Sequence, residues 1–345
     1  MILGYLNGGG DAPGLNAVIR GVVYRAVQGG HSVVGFLKGW KGAMENTAID
    51  LDLDGVRDIH REGGTILLSS RANPLKTENG VEKIEKTMRD LNVDFLIAAG
   101  GEDTLGVAKR LSEEGLKVIG APKTIDNDLN ATDYTFGFDT AINYVTDALD
   151  KLHTTARSHE RVFVVEIMGR HAGWITLHGG IAGGAHVILL PEEEFDTDEV
   201  CQILTRRFEE GRKYAIVAVS EGAMDSRLRK HIMHSAETDS FGHVQLGTGI
   251  GIAEVLSNEI SDRTELSTRH VVLGHVQRGG KPSAFDRVLG TRVGVKVVEM
   301  AEQGLAGKMA GLKGGEIVPV DLSEAVGKLK TVPQDRYDVA KLFFG

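Results

Sequence analysis

The sequence predicts an α/β protein with parallel-rich sheets, and three observations predict it. Short apolar runs end repeatedly in polar or glycine-rich segments, helical periodicity follows those segments, and 345 residues suit two α/β domains of roughly 150 residues each. Glycine stands out as well: the 45 glycines are about twice the usual ~7%, which supplies backbone for positive φ angles and for close approach to a ligand.

The first unit sets the pattern. Ile2 to Leu6 reads as a buried strand and Gly8 to Gly14 as a loop. Leu15, Val18, Ile19, Val22, Val23, Ala26 and Val27 then form one face of a helix that Gly29-Gly30 stops. Further strands are expected at Val33 to Phe36, Phe95 to Ala99, Val118 to Ala121, Val162 to Ile167, Val187 to Leu190, Ala215 to Val219 and Val271 to Leu273. In open α/β sheets ligands sit beyond the carboxyl ends of the strands, so the residues directly after each run are the informative ones. A change of motif places a domain boundary near residue 138: residues 1–138 with about 250–305 form one domain, about 139–250 a second, and 306–345 a C-terminal extension.

Composition narrows the class. With 41% hydrophobic and 25% charged residues the chain reads as globular rather than disordered. A net charge of -9 argues against nonspecific nucleic-acid binding while leaving room for a local basic pocket. Cys201 is the only cysteine, which rules out an intrachain disulfide and a Cys-rich zinc site. The N-terminus MILGYLNGGG lacks a basic region followed by a long apolar run, and nowhere do 18 apolar residues stand together. No signal peptide, no membrane span and a cytoplasmic location are therefore expected.

Three segments after strands carry unusual chemistry. GGGDAPG, Gly8 to Gly14, follows a strand and opens a helix, so the bare amides around Gly9 and Gly10 suit phosphate oxygens; a tight turn without a ligand would use the same residues. The segment is neither GxGxxG nor the pattern ending in GK[ST], so dinucleotide and Walker-type readings fail. GGEDT, Gly100 to Thr104, sets Glu102 and Asp103 at a strand end beside a helix start. Carboxylates there either hold Mg²⁺, often through water, or complement the helix dipole. PKTIDND, Pro122 to Asp128, brings together the cation Lys123, the hydroxyl Thr124, the acids Asp126 and Asp128 and the amide Asn127, with an Asx-turn network as the plain alternative.

Six motifs, GGGDAPGLNAVIRG, GGTILLSSR, GGEDT, PKTIDND, MGRHAG and GHVQRGG, stand in an order that resembles the phosphofructokinase family from about residue 2 to about residue 310. The resemblance implies two Rossmann-like three-layer αβα domains with an active site in the cleft between them. It also implies phosphorylation of the 1-hydroxyl of fructose 6-phosphate. By the same resemblance Asp126 is the base that takes the hydroxyl proton, and Thr124 and Asp128 orient the reacting groups. An aspartate of ordinary pKa near ~3.9 is a weak base for an alcohol, so it acts late in the transfer, with electrostatics supplying most of the catalysis. Arg71, with Gly9 and Gly10, is implied as the holder of the transferred phosphoryl group, and Glu102 as the Mg²⁺ ligand. Met168, Gly169, Arg170, Glu221, His275 and Arg278 are implied in sugar-phosphate binding, joined by Arg161 and Arg269 from a neighbouring subunit. Guanidinium groups suit this task because their planar donors reach two phosphate oxygens at once. A shared site requires at least a dimer, and the resemblance suggests a homotetramer.

Within the family the chain looks most like the pyrophosphate-using, actinobacterial-type branch. The common ATP-dependent pattern, GGDGS or GGDGT followed by PGTIDND, has glycine where this chain has Asp103 and Lys123. A side chain at 103 would fill the space of a nucleotide α-phosphate and set a carboxylate against it. Like charges ~4 Å apart repel by about 1 kcal/mol in water and about 4 kcal/mol at an effective dielectric near 20. Lys123 would set an ammonium against the departing phosphate. Lysine before TIDND also resembles some ATP-dependent members, so Asp103 carries the argument. Glu102 replaces the aspartate of many members and moves its carboxylate outward. Tyr24, Leu53 and His153 stand where regulated members hold basic residues, so weak effector control is expected. Two rivals remain: an ATP-dependent enzyme that tolerates Asp103 through a shifted loop, and a noncatalytic regulatory subunit, against which the retained Asp126 argues.

Overall fold

The computed structural model describes residues 1–228 and 250–345; the expected second domain's stretch from 229 to 249 lies outside the described residues. The N-terminal half runs β1 (Ile2–Asn7), α1 (Leu15–Gln28), β2 (Ser32–Phe36), α2 (Trp40–Glu45), β3 (Ala48–Leu51), α3 (Leu53–Val56), α4 (Gly80–Asp90), β4 (Phe95–Gly100), α5 (Glu102–Glu113) and β5 (Val118–Pro122). It continues through α6 (Phe138–Ser158), β6 (Val162–Ile167), α7 (Trp174–Ala182), β7 (Val187–Leu189), α8 (Thr197–Glu209) and β8 (Ala215–Ser220). Last come α9 (Ile252–Thr264), β9 (Thr268–Val272), α10 (Ala284–Glu302), β10 (Lys308–Lys313), β11 (Glu316–Asp321), α11 (Leu322–Ala325) and α12 (Gln334–Lys341).

Two sheets result. The first has the order β11-β10-β5-β4-β1-β2-β3, parallel through its centre and antiparallel only at the edge pairs β10–β11 and β2–β3. The second, β7-β8-β6-β9, is parallel throughout. Side chains alternate between faces as the two-residue strand period demands. In β4, Phe95, Ile97 and Ala99 face a core shared with α1 and α10, while Leu96 and Ala98 face one built with α2, α4 and α5. In β6, Val165 and Ile167 join α6 and α7, whereas Val162 and Val164 join α8 and α9. Helices therefore cover both faces of each sheet, the three-layer α/β arrangement that buried parallel strands require.

The sheet pairings divide the chain differently from the expected boundaries. β9 lies within the stretch expected to join the first domain, yet it pairs with β6 in the second sheet. β10 and β11, expected as part of an appended extension, complete the first sheet beside β5. Of the expected 250–305 stretch, α10 does pack on the first sheet's core, through Leu289, Val293 and Val297. The reason is local: a short edge strand reads the same whichever sheet it joins, and its partner is set by packing far along the chain.

Asp286 joins the two halves. This fully buried side chain of α10 accepts from the Gly137 amide (2.9 Å), the Thr140 amide (2.8 Å) and the Thr140 hydroxyl (2.5 Å), satisfying donors at the start of α6. Burial pushes its carboxyl up to about 6, against the pull of those same bonds. The C-terminal segment crosses between the halves too, leaving α11 on the first sheet and laying Val332, Tyr337 and Ala340 into the core of the second.

Candidate active site

β1, β4 and β5 are neighbours and parallel, so the loops that follow them emerge side by side. The Gly8 amide donates to Ala99 O (2.9 Å) and the Lys123 amide to Gly100 O (3.0 Å), which ties the three loops edge to edge. Thr104 explains two of their glycines. A Cβ at Gly8 would lie 2.3 Å from Thr104 Oγ1, and one at Gly100 only 2.2 Å from Thr104 Cβ. Gly9, at φ +77°, is a position where a side chain would strain the backbone.

Arg71 is placed by its neighbours. The Gly9 amide donates to Ser70 O (3.1 Å), the Ser69 hydroxyl donates to Gly9 O (2.5 Å), and the Ser70 hydroxyl to Lys38 O (2.6 Å). The two serines thus fasten the GGTILLSSR segment to the Gly9–Gly10 loop, bringing the Arg71 backbone alongside it.

Lys123 is 4% exposed, and its Nζ donates to the carbonyl of Gly10. Burial, reinforced by the Arg278 guanidinium, lowers its ammonium to about 7, while Asp11, Asp126 and Asp128 act in the opposite direction. Arg278 itself lies on this loop, with Nη1 3.5 Å from Asp11 O and 2.9 Å from where a Cβ at Gly10 would stand. Expected on the sugar side, Arg278 lies with its guanidinium beside the loop after β1.

The PKTIDND loop is held from within and behind. The Asp126 amide donates to Thr124 Oγ1 (3.1 Å), and Thr135 donates its hydroxyl to Thr124 O (2.7 Å) and its amide to Asn127 Oδ1 (3.1 Å). Burial first, then the Asp126 carboxylate, raises Asp128 to about 7; Glu102 adds to the rise and the Thr124 hydroxyl opposes it. Glu102, Asp126 and Asp128 therefore crowd one end of the site with negative charge. Among the described residues no three acids, histidines or cysteines form a metal cage. This donor set fits Mg²⁺ held in the usual way for phosphate chemistry, by one or two carboxylates plus water and substrate oxygens.

The second sheet supplies the facing wall. The Met168 amide donates to Gln277 Oε1 (3.2 Å), the Gly169 amide to Glu221 Oε1 (3.4 Å), and Ser220 Oγ to Gly169 O (2.8 Å). Gln277 is fully buried and also donates to Gly274 O (3.0 Å), so it locks the Met168–Arg170 loop to the turn bearing His275 and Arg278. Burial, then the charge of Asp126, pushes Glu221 up to about 7, with the Gly169 amide and Arg170 opposing. The Asp126 carboxylate, on the loop after β5, thus acts on Glu221, which follows β8 in the other sheet.

Arg161 and Arg269 are not brought to that space. Arg161 precedes β6, and Arg269, paired in register with Phe163, lies near the start of β9. Met168 follows the other end of β6, about 20 Å away at ~3.3 Å per strand residue. Sequence reasoning missed four supports: Ser69, Gln277, Asp286 and Lys330. Gln277 and Ser69 lie inside motifs that drew attention to their neighbours, whereas Asp286 and Lys330 lie in segments with no motif at all.

The model of the family described as Phosphofructokinase matches residues 2–301. "Pyrophosphate--fructose 6-phosphate 1-phosphotransferase" of Amycolatopsis mediterranei is 55% identical over 347 residues, covering 100% of both chains. "ATP-dependent 6-phosphofructokinase 3" of Streptomyces coelicolor is 49% identical, covering 99% of each. Among solved structures, a pyrophosphate-dependent phosphofructokinase from Marinobacter aquaeolei superposes with a TM-score of 0.83 at 25% identity, covering 100% of this chain and 92% of that one.

Proposed function

The chain belongs to the phosphofructokinase family, and on that premise we propose that it transfers a phosphoryl group from pyrophosphate to the 1-hydroxyl of fructose 6-phosphate. The products are fructose 1,6-bisphosphate and phosphate, in a reversible reaction. The observation that carries this reading is the meeting of the loops after β1, β4 and β5, where Lys123 Nζ donates to the Gly10 carbonyl and the Gly8 and Lys123 amides donate to Ala99 O and Gly100 O. The 55% identity with a pyrophosphate-using relative supports the donor.

In this reading the loops after β1, β4 and β5 hold pyrophosphate. The amides around Gly9 and Gly10, Arg71 and Lys123 meet its oxygens, and positive charge concentrated there stabilises the departing phosphate as its bond to the transferred phosphorus breaks. Asp126 accepts the proton of the sugar 1-hydroxyl while that oxygen bonds to the phosphorus, with Thr124 and Asp128 keeping the loop in place. Met168, Gly169, Arg170, Glu221 and His275 hold the sugar, and Arg278 spans the two sides. Glu102 with pyrophosphate oxygens would hold Mg²⁺, which neutralises phosphate charge when bound. Asp103 sits in the first turn of α5, next to Glu102, and its carboxylate repels the additional phosphate of a nucleotide donor.

Arg161 and Arg269 lie too far along their strands to serve their own site, which supports a site completed by a second copy of the chain. Val272 (52% exposed) and Val276 (65%) stand exposed on the segment that bears His275 and Arg278, as residues of an oligomer contact would. A tetramer and weak effector control belong to the same reading; His153 spends Nε2 on the Gly183 carbonyl (2.7 Å). Fructose 1,6-bisphosphate formation with Mg²⁺ and either donor tests the proposal. Turnover with pyrophosphate and not ATP is expected; a preference for ATP overturns the donor assignment, and no turnover with either overturns the enzyme reading.

A further inference from the structure

Between α11 and α12 the chain passes over the active-site loops as a strap. The Gly327 amide donates to Glu102 Oε1 (3.3 Å), the Lys330 amide to Asp128 O (2.8 Å), and the Val332 amide to Glu192 Oε1 (2.9 Å). Glu192 in turn accepts from the Gly173 amide (2.9 Å), and Lys330 O accepts from Trp174 Nε1 (2.7 Å). Residues 327–332 therefore touch the loops of the first sheet on one side and the segment ending MGRHAG on the other.

Lys330 is the centre of this strap. Its Nζ donates to Asn127 Oδ1 (2.9 Å), Thr132 O (2.8 Å) and Asp133 O (3.0 Å), and lies 5.6 Å from the centre of the Trp174 ring. Asn127 stands between the two loop acids in a left-handed conformation, φ 51°. Asparagine enters this conformation more readily than other non-glycine residues, as Asn46, Asn79 and Asn92 also do. Here the holding groups are the Lys330 ammonium and the Thr135 amide, both on Asn127 Oδ1. A tail that needed only anchoring has other means, since Val332, Tyr337 and Ala340 are already buried against the second sheet. A partly buried ammonium is costly unless it is paired, and this one is paired to the catalytic loop.

We propose that Lys330 is a positioning residue for the reaction: by holding Asn127 in its left-handed turn and bonding the backbone of Asp128, it directs the Asp126 and Asp128 carboxylates into the cleft. The proposal rests on the function proposed above. A loosened loop still presents the pyrophosphate and sugar contacts carried by other segments, so the defect falls on turnover rather than on binding.

The test compares Lys330→Met and Lys330→Cys with Val332→Ala, which weakens the tail's apolar anchoring without touching the loop. Both Lys330 variants should lose on the order of 10- to 100-fold in kcat with KM for both substrates within about twofold. Aminoethylation of the Lys330→Cys enzyme, which rebuilds a lysine-like ammonium, should restore most of kcat, with identically treated wild type as control. Val332→Ala should keep kcat within about twofold. Unchanged kcat in Lys330→Met, an equal loss in Val332→Ala, or no recovery on aminoethylation each overturns the proposal. Wild type is assayed with both donors in the same series: silence with both sinks the reading of the site and this proposal with it, whereas an active wild type matched by Lys330→Met sinks the proposal alone.

Discussion

Lys123 donates from Nζ to the carbonyl oxygen of Gly10, folding a nearly inaccessible ammonium beneath the loop that follows β1. The cation is already where pyrophosphate oxygens would collect, and burial holds it at about 7 against an ordinary 10.5. Lys123→Met should lower kcat/KM for pyrophosphate by about 100-fold, the usual loss for one electrostatic donor. Its stability at pH 7 should be equal to or above wild type, because the folded state no longer buries an ammonium. The linkage has a definite sign: between about pH 7 and pH 10.5 the unfolded chain binds the proton that folded Lys123 has lost, so wild type gains stability on that rise and Lys123→Met does not. Steady-state kinetics and denaturant titrations at pH 7 and pH 10 check both halves.

Asp103 occupies the first turn of α5, in the loop tied to the Lys123 amide through Gly100. Removing its side chain vacates space and charge together. Asp103→Gly should admit ATP, with kcat/KM for ATP rising about 5- to 1,000-fold, as expected from removal of a repulsion of about 1–4 kcal/mol. If ATP turnover stays at the wild-type level, the loop lies away from the nucleotide path and Asp103 is not the gate.

Thr104 fills the space left by two glycines, and the two differ in which of its atoms they meet. A Cβ at Gly8 would crowd Thr104 Oγ1 at 2.3 Å and Cγ2 at 2.7 Å, but its Cβ only at 3.1 Å; a Cβ at Gly100 would strike Thr104 Cβ at 2.2 Å. Gly8→Ala and Gly100→Ala should each cost about 1–3 kcal/mol. Adding Thr104→Ala should recover most of the loss at Gly8 and little at Gly100. Denaturation midpoints of the two double variants decide it, and equal recovery would contradict the geometry.

The same contacts show what the sequence makes legible. β1, β4, β5, β6 and β8 are buried parallel strands, so they read as apolar runs ended by glycine or polar residues, and the active-site motifs follow them directly. β3, β10 and β11 are less apolar, mixing lysine, acids and Pro319 into edge or near-edge positions, and no run announced them. β9 was expected at Val271 to Leu273 and begins instead at Thr268, since the polar Thr-Arg-His start of an edge strand lacks the apolar signal. Residues that carry local chemistry were legible too. Lys330 and Asp286 were not, because their partners Asn127 and Gly137 lie 203 and 149 residues away, and no short-range pattern encodes a contact of that span.

Glu221 gives a pH signature. Its carboxyl is raised from an ordinary 4.5 to about 7, so between those values the folded protein keeps a proton that the unfolded chain has released. Raising pH across that window therefore favours unfolding: the contribution is complete below about pH 4.5 and lost as pH passes about 7. At about 1.4 kcal/mol per pK unit the effect reaches about 3 kcal/mol. Glu221→Gln does not titrate, so its stability relative to wild type should improve by up to that amount from pH 4.5 to pH 7.5. A difference independent of pH would contradict the burial that raises Glu221.

Arg161 and Arg269 sit at the far ends of β6 and β9 from the loop that begins at Met168, which makes their contribution a question about two chains rather than one. If the neighbour's arginines complete each site, damage to Arg269 and damage to Asp126 fall on different sites of a hybrid. Arg269→Ala and Asp126→Asn homo-oligomers should each be nearly inactive. In a mixed pair, the subunit with intact Asp126 receives Arg269 from its Asp126→Asn partner, giving one complete site. Equal mixtures, unfolded and refolded together, form such pairs about half the time, so activity should return to about a quarter of wild type. Recovery to that level places the sugar phosphate between subunits. Failure of the hybrids, with oligomer formation verified by light scattering, would confine the site, Arg269 included, to one chain.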